Sequence, residues 1–232
     1  MKTTAWLTAL VAVSFFAAPL ITEPFTGYRD DQLPIPQPDP PIQPAGYAFS
    51  IWGIIYLWLV ASALFGAFRR AEDPAWHAAR PWLIVSLAIG TAWLSIANTS
   101  ALWATVTIFM MLASALMALA RSPVSDRLLL RAPLGLYAGW LSAASFVSLG
   151  VYLAGNGVIT DGYGWTLILI PVAAALAVAV QFRQLKAPEY GVAVTWALIG
   201  IVVANQGQIA WLAGVAAALI AVLAIRSATK SA

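Results

Sequence analysis

Acidic and basic side chains are missing from five long stretches of this 232-residue chain. Residues 46–67, 81–120, 132–160, 162–182 and 190–225 contain no Asp, Glu, Lys or Arg. A helix needs about 20 apolar residues to cross the ~30 Å hydrocarbon core of a bilayer. Lipid offers backbone groups no hydrogen-bond partner, so only helices and closed barrels can span it. Barrel strands would read as ~10-residue segments alternating between lipid and lumen, and residues 111–120, MLASALMALA, show no alternation. The fold class read from the chain is therefore an all-α integral membrane protein, a bundle of about eight transmembrane helices in the lipid bilayer.

The helices fall at roughly 5–21, 46–68, 80–98, 102–120, 132–154, 164–182, 189–205 and 208–226. Asn205-Gln206-Gly207-Gln208 divides the last apolar stretch into two spans, against the alternative of one kinked helix. Charge supports the division. With the N-terminus inside, Lys2, Arg69, Arg70, Arg80, Arg121, Arg127, Arg131, Arg183, Lys186, Arg226 and Lys230 all fall on the inner side, and only Arg29 falls outside. This is the positive-inside pattern, and it sets both termini in the cytoplasm. The first span could instead be a cleaved signal sequence, but Pro19 after Ala17-Ala18 disfavours cleavage and Trp6 suits a membrane interface. Charged residues make up only 9% of the chain and the net charge is +3. The basic residues sit in short loops as orientation signals, so a nucleic-acid partner is not expected.

Residues 22–45 form the one long loop. Seven prolines (Pro24, Pro34, Pro36, Pro38, Pro40, Pro41 and Pro44) stiffen it into extended pieces, and Glu23, Asp30, Asp31 and Asp39 make it acidic. Such a loop can act as a lid over a pocket, but composition alone favours a solvated connector.

Intramembrane ionisable groups usually mark proton relays, ion coupling or charged-substrate paths, and the predicted helical cores hold none. The usual acids and bases of catalysis are absent there too, and the Ser and Thr that remain have no base beside them. With no cysteine, and with the single histidine, His77, in a polar loop, neither a metal centre nor an obligatory cofactor is expected.

What the core does hold is aromatic surface. Of eleven tryptophans, Trp6, Trp76, Trp82 and Trp165 fall at predicted interfaces, where indole belts form. Trp52, Trp58, Trp93, Trp103, Trp140, Trp196 and Trp211 fall in or near helices. Phe49, Trp52, Tyr56 and Leu59 share one helical face. On the fifth span Tyr137, Trp140, Ala144, Ser148 and Val151 do the same, with small residues leaving room beside large rings. The other side of that helix carries Gly135 and Gly139, a small-xxx-small pair suited to close packing. This pair and Ala210/Gly214 permit intrachain packing, a homodimer or docking of a membrane-protein partner.

Pro44-Ala45-Gly46-Tyr47-Ala48-Phe49, followed by Trp52 and Tyr56, resembles the Pro-Pro-Gly-Trp-Val-Phe signature of the TspO/MBR family, the tryptophan-rich sensory or translocator proteins. Tyr137-x-x-Trp140-x-x-x-Ala144 resembles that family's fifth helix. The resemblance covers residues 1–154 as a five-helix core, with residues 155–232 as a C-terminal helical extension of about three helices. The departures are Ala45 for the second proline, Tyr47 for tryptophan, a Phe49–Trp52 spacing one residue short, Gly90 for an amide before Trp93, Leu136 for proline, and Ser148 for a late asparagine. No basic residue follows Tyr152 nearby, so a cholesterol role is not expected.

The resemblance implies a sensor-like membrane receptor for a flat apolar small molecule, a tetrapyrrole such as a porphyrin or haem precursor, in the bacterial plasma membrane. It places Tyr47, Trp93, Tyr137, Trp140, Ala144 and Ser148 at the pocket, with Trp52 and Tyr56 as a further wall. The alternatives are a facilitator of apolar molecules without ion coupling, and a structural subunit that docks a partner through the extra helices. An enzyme is the least supported reading.

Overall fold

The computed structural model describes residues 1–184 and 186–229. Helix α1 spans Lys2–Ile21, α2 Ile51–Arg69, the short α3 Pro74–His77, α4 Arg80–Ala97, α5 Ala101–Arg121, α6 Arg131–Gly155, α7 Gly162–Arg183, α8 Pro188–Ala204 and α9 Gly207–Thr229. Among the described residues, seven helical segments are long and apolar enough to cross a membrane, α2 together with the 3-10 turn Gly46–Ser50 that leads into it counting as one. The eighth apolar helix, α8, is 17 residues long. This is the multi-pass membrane bundle expected from the charge-free stretches.

Local chemistry sets the helix ends. Ser100 and Asp161 accept hydrogen bonds from Trp103 N and Gly164 N, starting α5 and α7. Pro188 occupies the first turn of α8, where a missing N–H is harmless. α8 stops at Ala204, and Gly207, at φ +62°, opens α9. The amide-rich turn therefore does divide the last apolar stretch.

Helix α6 is the axis of the bundle. It packs against α2, α5, α7 and α8, while α1 packs on α2 and α4, and α9 closes over α7 and α8. One hydrophobic core runs from Ala5 and Ala9 on α1 through Leu134, Tyr137 and Leu141 on α6 to Ala193 on α8 and Ile220 on α9. The Gly135/Gly139 face of α6 is the one that meets α8. A Cβ at Gly135 would sit 3.3 Å from Tyr190 N, and one at Gly139 would overlap the Tyr190 carbonyl and lie 3.0 Å from Ala193 Cβ. Of the roles left open for that face, intrachain packing is the one it fills.

The basic residues other than Arg29 gather at one end of the bundle, where Lys2 pairs with Glu72 and Arg70 with Asp126. Lys230 lies outside the described residues. Two guanidinium groups there are buried and serve the main chain. Arg80 donates to the carbonyls of Gly66, Arg70 and Ala71 at the end of α2. Arg131 donates to Ser122 O and to Gln184 Oε1 after α5 and α7. Cations suit the negative end of a helix dipole. Arg127, in the turn before α6, pairs with Glu189 in the first turn of α8.

Trp76 departs from the interface belt expected for it. Its ring is 2% exposed, and its indole N–H donates to Asp126 Oδ2 at 3.1 Å. The cause is Asp126, which also accepts from Arg70 Nε at 2.6 Å and Nη2 at 3.1 Å and so gathers indole and guanidinium into one node. The Arg70 hydrogen bonds hold the Asp126 carboxyl below its ordinary value of 3.8. A depressed carboxyl contributes stability that is complete above its unfolded pKa and is lost as pH falls through the folded one. The expected result is that Asp126→Asn lowers the unfolding midpoint by a few degrees at pH 7 and that the difference shrinks below about pH 4. Asn accepts the left-handed backbone at this position (φ 54°). Thermal unfolding in detergent at pH 7 and pH 3.5 checks it; a difference unchanged between the two pH values would remove the node from the acid response.

An aromatic cavity under the proline-rich loop

At the other end of the bundle the loop 22–45 folds over the helix ends and roofs a cavity of about 540 Å³. Ligand sites typically fall between about 300 and 1,000 Å³. The walls come from α1 (Phe15, Pro19), α2 and its leading turn (Phe49, Trp52, Tyr56), α4 (Gly90, Trp93), α5 (Ile108, Met111) and α6 (Trp140, Ala144, Ser148). From α8 comes Ala197. The roof consists of loop residues, among them Phe25, Tyr28, Gln37, Asp39 and Gln43. The solvated connector favoured by composition is corrected here: the loop's residues line the cavity.

The rings form a connected lining. Trp52 and Tyr56, one turn apart on α2, stack with centroids 5.2 Å apart. Trp140 meets the edges of Phe49 at 5.7 Å and of Trp52 at 6.1 Å. Phe15 reaches in from α1 to within 4.9 Å of Tyr56. Gly90 makes room for it, since a Cβ there would lie 2.6 Å from the Phe15 ring and 3.0 Å from the Met111 methyl. Glycine in place of an amide before Trp93 is thus the complement of a phenylalanine seventy-five residues earlier in the chain.

The loop is tied down by many partners. Tyr28 OH and Ser148 Oγ share a hydrogen bond of 2.7 Å, and Ser148 Oγ shares another of 2.8 Å with Thr105 Oγ1. Burial pushes the Tyr28 phenol up from its ordinary value, so it stays protonated near neutral pH. Arg29 and Gln32 donate to the carbonyls of Asn98 and Ala97 at the end of α4, and Asn98 donates back to Glu23 O. Ile35 N bonds Gly155 O at the end of α6, and Ala45 N bonds Gly200 O on α8. Leu33 and Ile42 are buried like core residues, against Gly155 and Gly150.

Of the eight residues expected at the pocket, Trp52, Tyr56, Trp93, Trp140, Ala144 and Ser148 line the cavity. Tyr47 and Tyr137 do not. Tyr47 turns its ring edge-on to Trp196 of α8 at 5.4 Å, and the Trp196 indole fixes that corner by donating to Ala48 O. Tyr137 is fully buried beneath the lining, its ring near Phe15 and Trp52 and its hydroxyl sharing a 2.9 Å hydrogen bond with Ser86 Oγ. Phe25, Tyr28, Asp39, Phe15 and Met111 were not singled out from the chain. The hydroxyl of Tyr28 in an acidic loop was the one chemical hint.

Trp140 stands apart from the other tryptophans. The indole N–H groups of Trp58, Trp93, Trp165 and Trp196 donate to main-chain carbonyls. The Trp140 N–H is buried in the cavity wall with no acceptor among the described residues. A buried donor without a partner costs about 1–3 kcal/mol. His77 is at the far end of the bundle, its Nδ1 3.0 Å from Thr4 Oγ1, and the lining contains no imidazole.

A family model described as TSPO-like protein matches residues 3–226. The match runs through α7, α8 and α9, beyond the 1–154 segment that carries the sequence resemblance. No curated protein and no solved structure matches the chain.

Proposed function

The chain belongs to the TSPO-like protein family, and from that premise we propose that it is a sensor-like membrane receptor that binds a flat apolar small molecule, with a tetrapyrrole as first candidate, in the cavity roofed by residues 22–45. The observation that carries this reading is the ring-lined 540 Å³ cavity whose wall holds a fully buried donor, the Trp140 N–H, without an acceptor among the described residues. Aromatic faces offer a flat ligand stacking and burial, worth about 25 cal/mol per Å² of apolar surface removed from water. A carbonyl or ring nitrogen on the ligand would satisfy Trp140. The distribution of basic residues supports an orientation with the arginine-rich end toward the cytoplasm, in a bacterial plasma membrane on this reading.

Sensing follows from the roof. A ligand that fills the space beneath Phe25 and Tyr28 changes the balance between roof positions only to the extent that it binds one of them better. The Tyr28–Ser148–Thr105 hydrogen bonds couple the roof to α6 and α5, which gives that balance a route to the bundle.

The test is titration of the detergent-purified protein with protoporphyrin IX, following tryptophan emission, beside a Trp140→Phe variant. Trp140→Phe removes no protein hydrogen bond, so the fold is expected to survive. The expected result is saturable micromolar binding that weakens about tenfold in the variant, or ~1.4 kcal/mol. Binding that does not saturate, or equal dissociation constants in the two proteins, would count against the cavity as the site.

A further inference from the structure

The charge around the cavity mouth is one-sided. Among the described residues lining it, none is Lys, Arg or His, and one is a carboxylate, Asp39. Asp39 sits between Pro38 and Pro40 in the roof, exposed to solvent. The other polar lining groups of the roof, Gln37, Gln43 and the Tyr28 hydroxyl, are neutral. The one basic side chain of the loop is committed elsewhere: Arg29 Nε pairs with Asp31 Oδ1 at 3.0 Å and its Nη1 donates to Asn98 O at 2.7 Å. Arg29 does not line the cavity, and neither do Glu23, Asp31 and Asp161, the other acidic side chains described at this end. Among the described residues, Asp39 is therefore the single charge that a bound molecule's outward edge would face.

We infer that Asp39 is a specificity-determining residue that selects, among flat apolar ligands, those whose outward edge is neutral or cationic and disfavours those carrying carboxylates there. The inference rests on the reading of the cavity as the binding site. Its physics is that of like charges at close range. At about 4 Å two anions in a water-rich setting repel by an amount equivalent to about a fivefold change in affinity. A cleft mouth of one sign also concentrates ligands of the opposite charge and repels those of its own. A free porphyrin dicarboxylate and its diester have the same ring but opposite standing before such a mouth.

The experiment compares protoporphyrin IX with its dimethyl ester, each titrated in a non-ionic detergent against the wild type, Asp39→Asn and Glu72→Gln. Asparagine is the suitable replacement because Asp39 has φ 50°, a left-handed conformation that Asn tolerates. Glu72 lies at the opposite end of the bundle, paired with Lys2, and controls for net charge. Expected is an about fivefold tightening of the dicarboxylate in Asp39→Asn at low ionic strength, with the diester unchanged and Glu72→Gln without effect on either. The tightening should fade toward 1 M salt, where charges are screened within about 3 Å. If both porphyrins bind saturably but the dicarboxylate is insensitive to Asp39→Asn, or both ligands shift equally, the inference is overturned while the binding site stands. If neither binds saturably to the wild type, the reading of the cavity falls and this inference with it.

Discussion

A single methyl group added at Gly139 is expected to drive α6 away from α8 and to destabilise the bundle by about 1–3 kcal/mol, the range for overpacking a filled core. Two effects oppose each other in Gly139→Ala. Alanine is the better helix former by about 1 kcal/mol. Against this, its Cβ would overlap the main-chain carbonyl of Tyr190 and press on Ala193 Cβ at 3.0 Å. Neither obstacle can rotate away, since one is backbone and the other a methyl with no rotamers. Neighbouring glycines grade the effect. At Gly135 the nearest atom would be 3.3 Å away, and at Gly214 a Val202 methyl would be 3.9 Å away. The expected order of unfolding midpoints in detergent is Gly214→Ala at or above wild type, Gly135→Ala slightly below it, and Gly139→Ala lowest. A Gly139→Ala protein as stable as the wild type would mean that α6 and α8 do not approach this closely.

The second large effect is on binding. Ala144→Leu adds three carbon atoms to the cavity wall one helical turn from both Trp140 and Ser148, on the face that the small residue leaves open. The ligand space is finite at about 540 Å³, and the leucine would occupy part of it where a flat molecule must pass between rings. Affinity for protoporphyrin IX should fall more than tenfold, which is over ~1.4 kcal/mol. The unfolding midpoint should hold or rise slightly, because the new side chain fills space. Ala175→Leu on α7, exposed on the bundle surface, is the matched control and should change neither. Equal affinities for Ala144→Leu and wild type would place the ligand elsewhere.

The helices were legible because a bilayer imposes a length and a charge rule that survive without any knowledge of packing. The Asn205–Gln208 turn was legible for the same reason. The glycine pair on α6 announced a close contact, but not which of α8, a second copy or a partner would make it. That choice depends on residues about fifty positions away. Five cavity residues, Trp52, Tyr56, Trp140, Ala144 and Ser148, followed from helical spacing, which reports direction within a helix, and Trp93 followed from the family resemblance. Neither spacing nor resemblance reports what an adjacent helix supplies, and that is why Tyr47 and Tyr137 lie outside the lining. Trp196 on α8 captures the first ring and Ser86 on α4 the hydroxyl of the second. Trp76 shows the same limit at the arginine end, where Asp126 draws it inward. The roof residues Phe25, Tyr28 and Asp39 lie in a segment with no period at all, so only the fold could assign them.

The roof's attachment to α8 bears on the order in which the protein is made. Asn205 Nδ2 donates to Pro41 O, a partner 164 residues earlier in the chain, and Ala45 N waits for Gly200 O. A nascent chain inserted from its N-terminus carries residues 22–45 through most of synthesis without these anchors. Contacts so distant in sequence form late and slowly. The first part of the roof can settle on α4, α5 and α6, but its last stretch, around Pro41 and Ala45, is fixed only when α8 is in the membrane, so ribosome-bound intermediates that lack α8 would be exposed to premature capture of apolar molecules, or to proteolysis at that stretch.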